Sequence, residues 1–194
     1  MIVTFKRTGS RRYSITVERL PLTNLEMDPA PGYNPLVPHD LLHLVVEARL
    51  GLTRGIFGQL AAGGDAGTFH LTSSRNNSTK EFARERKRLR ERGEKLLREG
   101  RAESAQSERA TYVCWQRWLG RSTSHAGRSV PAKMNQQAVE VRDQTFSGES
   151  DGLSESKIEE ICACLDKLSS CWSKLKTGES MSVSWPDLTC SLGA

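Results

Sequence analysis

Two histidines and two carboxylates, His39, Asp40, His43 and Glu47, sit within one thirteen-residue stretch of the chain, Pro38-His39-Asp40-Leu41-Leu42-His43-Leu44-Val45-Val46-Glu47-Ala48-Arg49-Leu50. On a helix turning about 100° per residue the four fall within an arc of roughly 100°, and Leu, Val and Ala fill most of the remaining circumference. The pattern predicts a largely buried helix over residues 38–50 with one narrow ionisable strip. His39 and His43 are four apart, which stacks two imidazoles on one face where both can bind a single divalent ion. Glu47 extends the same line.

The strip therefore points to a divalent-metal site, with zinc as the expected ion and His39, His43 and Glu47 as ligands. A further ligand must come from elsewhere in the chain. His70 is the best remote candidate, and His125 ranks below it. Asp40 and Glu47 are the candidate catalytic groups, placed to handle the proton of a metal-bound water in a metal-dependent hydrolase. His39-Asp40-Leu41-Leu42-His43 departs from the His-Glu-x-x-His pattern of zinc hydrolases by an Asp where the general-base Glu would stand. That carboxylate is one methylene shorter and reaches a bound water from a different distance, which is poor support for proteolysis. Metal-free acid/base chemistry by the same groups is a second option, but no Ser or Cys is placed to act as a nucleophile. The strip is also compatible with a plain polar edge, since His43 and Glu47 form an ordinary i,i+4 pair.

A different chemistry is concentrated further along. Residues 80–101 hold ten Lys or Arg and five Glu, a surplus of five that equals the formal net charge of the whole chain. Arg84, Lys87, Arg88, Arg90, Arg92, Lys95 and Arg98 are candidate phosphate contacts, so a non-enzymatic nucleic-acid- or protein-binding module acting through residues 80–119 is the alternative function. The interleaved glutamates weaken its electrostatic footprint. The sparse Phe82, Leu89 and Leu96 stripe offers a protein partner or self-association instead. No phosphate loop or dinucleotide motif is present.

The elements that must position these groups define an α+β fold: a small antiparallel sheet of about three strands packed against four or five helices, one of them long and basic. Ile2 to Lys6 and Tyr13 to Glu18 read as an N-terminal hairpin turning at Thr8-Gly9-Ser10. Met181 to Trp185 supplies a C-terminal strand, stopped by Pro186, that needs the hairpin as its partner. The prolines at 21, 29, 31, 35 and 38 predict an irregular crossing over residues 20–38 with no central strand. Helices are expected from Pro38 to Leu50, from a Thr53 cap through Ala62, from Thr79 to Glu99, from Ser104 to Leu119, and after a Ser156/Glu159 capping box. In the fourth, Tyr112, Trp115 and Leu119 are expected to line one side.

Because the sheet joins both ends of the chain, residues 1–194 are expected to form a single domain. Residues 79–119 would then be a protruding helical pair and residues 121–155 a mobile insertion. No stretch approaches 18 apolar residues, so no membrane span is expected, and the N-terminus does not resemble a signal peptide. The odd set of five cysteines lacks redox or zinc spacing and reads as buried or half-buried free thiols, which places the protein in the cytoplasm.

Overall fold

The computed structural model describes residues 1–72, 79–121 and 153–193. Within them the chain forms an α+β fold in which helices pack against one antiparallel sheet. The strands are β1 (Ile2–Gly9), β2 (Arg12–Arg19), β3 (Leu22–Ala30), β4 (His70–Leu71), β5 (Ser180–Ser184) and β6 (Cys190–Gly193). The helices are α1 (His39–Leu50), α2 (Ile56–Ala61), α3 (Thr79–Glu99), α4 (Arg101–Arg121) and α5 (Glu155–Lys174). Most of the expected mobile insertion, residues 122–152, lies outside the described residues, as does His125.

The sheet has six strands in the order β4-β3-β2-β1-β5-β6, not about three. Its centre is the arrangement expected from the sequence, with β1 paired to β2 on one side and to β5 on the other. The alternation of the strands explains the register. Val3 lies opposite both Val17 and Val183, and Phe5 opposite both Ile15 and Met181, so one face is a continuous apolar surface. All six of these side chains are buried. The other face carries Thr4, Thr16 and Ser182 in cross-strand register, the pattern of a sheet covered on one side only.

Of the three additional strands, β4 falls in residues 68–72, a stretch that reads as a short strand or an extended link, and β3 and β6 arise where local punctuation hides extended structure. β3 runs through the region expected to be irregular because its prolines fall at tolerated places. Pro21 precedes the strand, and Pro29 sits beside a register shift between the Tyr13–Ala30 and Ile15–Met27 pairs. A bulge removes the need for the ladder hydrogen bond that proline cannot donate. β4 pairs only Leu25 and Glu26 of β3, so most of β3 is an edge. β6 returns after Pro186-Asp187 to pair with β5. Length does not single out the basic helix either, because α3, α4 and α5 have 21, 21 and 20 residues.

Helix α1 lies within the hydrophobic core. Pro38 caps its N-terminus with an extended backbone, and Gly51 ends it in the left-handed region at φ 67°, where glycine carries no Cβ penalty. Every residue from Asp40 to Glu47 is buried, because α2, α4 and α5 pack against α1 and its apolar residues join the same core cluster as the sheet. Trp172 of α5 meets Tyr13 of β2 edge to face at 5.8 Å and donates through Nε1 to the Asn34 carbonyl at 2.9 Å. Helix α5 begins at a Ser154 cap whose hydroxyl accepts the Lys157 amide, two residues before the expected Ser156.

The buried side of α4 is Ser107, Ala110, Thr111, Cys114, Trp115 and Trp118; of the expected Tyr112, Trp115 and Leu119 line only Trp115 is fully on it, and Tyr112 and Leu119 are half-buried at its edge. Trp118 is buried and donates through Nε1 to Asp166 at 2.7 Å. The five cysteines are unpaired: Cys114 and Cys162 are buried, Cys164 and Cys171 half-buried, and Cys190 exposed.

Candidate metal centre

The ionisable strip of α1 does not face solvent. It faces α4, and the two helices together build the site. Three potential ligand atoms, one each from His39, His43 and Glu108, lie within 4.8 Å of one another. The imidazoles of His39 and His43 stand edge to face with centroids 4.6 Å apart, as the one-turn spacing predicts. His43 is fully buried, and its Nε2 is 3.6 Å from Oε2 of Glu108, whose side chain is 45% exposed. Glu108 therefore forms the open side of the cluster. Such a His/His/Glu group is one that can hold a divalent metal ion.

Burial sets the protonation of the two rings. It pushes His43 down to about 4. It also pushes His39 down to about 4, with His43 adding to the shift and Glu108 opposing it. Both rings are thus neutral near pH 7, the form that binds metal. His43 and Glu108 are then not an ion pair, and 3.6 Å exceeds hydrogen-bonding distance. Nε2 of His43 is a buried atom without a hydrogen-bond partner among the described residues. Glu108 is itself raised by burial, against the lowering influence of His39.

The remaining members of the strip point elsewhere. Both oxygens of Glu47 are taken up by hydrogen bonds: Oε1 accepts the Ile56 amide at 2.8 Å and the Ser107 hydroxyl at 3.0 Å, and Oε2 accepts the Phe57 amide at 2.8 Å. Helix α2 has no side-chain cap of its own at Gly55, so Glu47 serves that purpose from α1. Burial pushes Glu47 up to about 7, while the Phe57 and Ile56 amides and the Ser107 hydroxyl oppose the rise. On the opposite ring nitrogen, His43 Nδ1 lies 2.9 Å from Ser107 Oγ and 3.4 Å from Thr111 Oγ1. Asp40 is buried against the hydroxyl of Tyr13; burial pushes it up to about 6, opposed by that hydrogen bond.

His70 belongs to β4, opposite Glu26 at the sheet edge, and is exposed. It is not part of the cluster, and neither is Glu47. The structure puts Glu108 in the position for which the sequence offered those two. A signal for Glu108 was present: it stands four residues before Tyr112, so the line through Tyr112, Trp115 and Leu119 reaches it when continued one turn towards the N-terminus.

On α3, three of the candidate phosphate contacts have intrahelical partners. Lys87 pairs with Glu91 at 3.8 Å, Arg90 with Glu94 at 3.6 Å and Lys95 with Glu99 at 3.8 Å. Arg84, Arg88, Arg92 and Lys95 line a groove beside Arg19 and Thr23, together with Glu81, Glu85 and Glu91. Arg98 ends the helix in its last turn. No helix among the described residues is long and apolar enough to cross a membrane.

No protein-family model, curated protein or solved structure matches the chain.

Proposed function

We propose that His39, His43 and Glu108 bind a divalent metal ion, that this ion is zinc, and that the protein uses it as a metal-dependent hydrolase. The observation that carries the metal site is the unpartnered Nε2 of His43, fully buried and directed towards Glu108 with His39 alongside. A buried polar atom left without a partner costs about 1–3 kcal/mol, and a cation between the three side chains removes that cost. Two imidazoles and one carboxylate are a donor set suited to zinc in sites where three protein ligands leave a position for water. A bound ion would supply Lewis acidity and a water acidified to near neutrality. Glu108 leaves the cluster open to solvent on one side, as substrate entry requires. We assign the proton-holding part to Asp40, which follows His39 in the chain and whose value, raised by burial to about 6, lets it carry a proton close to neutral pH. Its carboxyl is turned to Tyr13 and acts from beside the cluster rather than within it. Glu47 is less suited to that part, because its oxygens are engaged by α2 and Ser107.

The test is metal analysis of protein purified without chelator, comparing wild type with His43→Ala and Glu108→Ala. Wild type should retain about one equivalent of a divalent metal and both variants should lose most of it. Equal and negligible metal in all three would overturn the site. Ester or phosphoester hydrolysis that returns when zinc is restored to chelator-treated protein, and falls in Asp40→Asn, would support the hydrolase.

The groove along α3 favours a second function, the binding of nucleic acid through Arg84, Arg88 and Arg92 with Lys87, Arg90, Lys95 and Arg98 on the same helix. Binding of a single-stranded oligonucleotide should then weaken steeply between low and moderate salt. Affinity that does not change with salt would remove it.

A further inference from the structure

We infer that Glu47 and Ser107 are positioning residues for the metal site, forming a relay that places the proton of His43 on Nδ1 and leaves Nε2 as a lone pair facing Glu108. The inference rests on the metal-site proposal for its purpose but on hydrogen-bond counting for its content. Ser107 has one hydroxyl proton and two neighbours, the Glu47 carboxylate at 3.0 Å and His43 Nδ1 at 2.9 Å. The two oxygens of Glu47 together accept three donors, the amides of Ile56 and Phe57 and the Ser107 hydroxyl, the arrangement of an ionised carboxylate, and in that form Glu47 has no proton to offer. The Ser107 hydroxyl must therefore donate to Glu47. Its oxygen is left as an acceptor, and the only donor that can face it from His43 is Nδ1–H. A neutral imidazole has one proton, so Nε2 carries none.

This accounts for two observations together. Ser107 is a buried polar residue in the middle of α4, where an alanine would be the simpler choice for close helix packing, and His43 Nε2 is buried with no hydrogen-bond partner among the described residues. A histidine ligand whose second nitrogen donates to an acceptor is held in one tautomer and one ring orientation. Here the acceptor is a hydroxyl, with the carboxylate one step behind it. The same carboxylate caps α2, so the backbone of Ile56 and Phe57 helps fix the direction of proton donation at His43.

The relay is tested in metal-free protein by the ring ¹⁵N resonances of His43, which report which nitrogen bears the proton, and then by zinc titration. In wild type the proton should be on Nδ1. Ser107→Ala removes the nearer acceptor. Thr111 Oγ1 lies 3.4 Å from Nδ1 and can take over as acceptor, so adding Thr111→Val to Ser107→Ala removes both hydroxyls within reach of that nitrogen. In the double variant the proton should move to Nε2 and zinc affinity should fall by about 10- to 100-fold. If the double variant fails to fold, the wild-type tautomer decides the matter alone. A proton on Nε2 in wild type, or one that stays on Nδ1 when Ser107→Ala and Thr111→Val are combined, overturns the relay. A wild type that shows the expected tautomer and its loss in the double variant, yet takes up no zinc, supports the relay and overturns the metal site.

Discussion

The hydroxyl of Tyr13 has one proton and two acceptors within reach, the Pro31 carbonyl at 2.5 Å and an oxygen of Asp40. If Asp40 is ionised, the carbonyl and the carboxylate compete for that proton. If Asp40 is neutral, its own O–H donates to Tyr13 and Tyr13 donates to Pro31, and every group is satisfied. Burial, which raises Asp40 to about 6, acts in the same direction. Tyr13→Phe removes the middle of this chain and leaves a buried acid and a carbonyl without their partner. The expected cost is about 1–3 kcal/mol, read as a fall in the urea midpoint at unchanged slope. Asp40→Asn should cost less, since its amide can still donate to Tyr13. Equal stability of wild type and Tyr13→Phe would show that the chain of hydrogen bonds is not needed.

At the scale of elements, α2 has only six residues and is held by a carboxylate from another helix. Gly55 makes that contact possible: a Cβ there would lie 2.4 Å from the carboxyl carbon of Glu47. Gly55→Ala should push Glu47 away, destabilise the protein by about 1–3 kcal/mol and speed hydrogen exchange at the Ile56 and Phe57 amides relative to those of α1. Unchanged exchange at those two amides would mean that Glu47 is not what holds the helix start. Such tertiary capping explains what was readable in the sequence. α1 and α3 were legible because their ends are marked locally, by Pro38 and Gly51 and by Gly100. β1, β2 and β5 were legible from alternation. The start of α2 was misplaced at Thr53 because its cap lies eight residues upstream of Gly55, on α1. β3 was missed because Pro21 and Pro29 read as breakers without the register shift that absorbs one of them. Likewise the two histidines were visible as a pair, but Glu108 enters only when α4 packs on α1, with a rotation that buries small residues, Ser107, Ala110, Thr111 and Cys114, alongside Trp115 and Trp118.

The molecule as a whole encloses four titratable groups of α1 between a sheet and two long helices, and their shifts oppose one another. Asp40 and Glu47 are raised by burial to about 6 and about 7. They favour the folded state most at low pH and lose that contribution as pH rises through those values. His39 and His43, lowered by burial to about 4, do the reverse: their contribution is full above the ordinary histidine value and is lost as pH falls towards 4. Between about pH 4.5 and 6 the folded protein keeps two protons on acids that the unfolded chain releases, and lacks two on imidazoles that the unfolded chain binds. The two slopes cancel, so these groups leave the stability of metal-free protein nearly independent of pH across that interval. Replacing His43 by Leu removes one imidazole from the balance while keeping the site apolar. The stability of His43→Leu relative to wild type should then fall with rising pH over this range, by about 1 kcal/mol per pH unit. Urea unfolding of both proteins at several pH values, after chelator treatment, measures that difference directly. A difference that stays constant would show that His43 is not held neutral in the fold, which would also remove the lone pair on which metal binding depends.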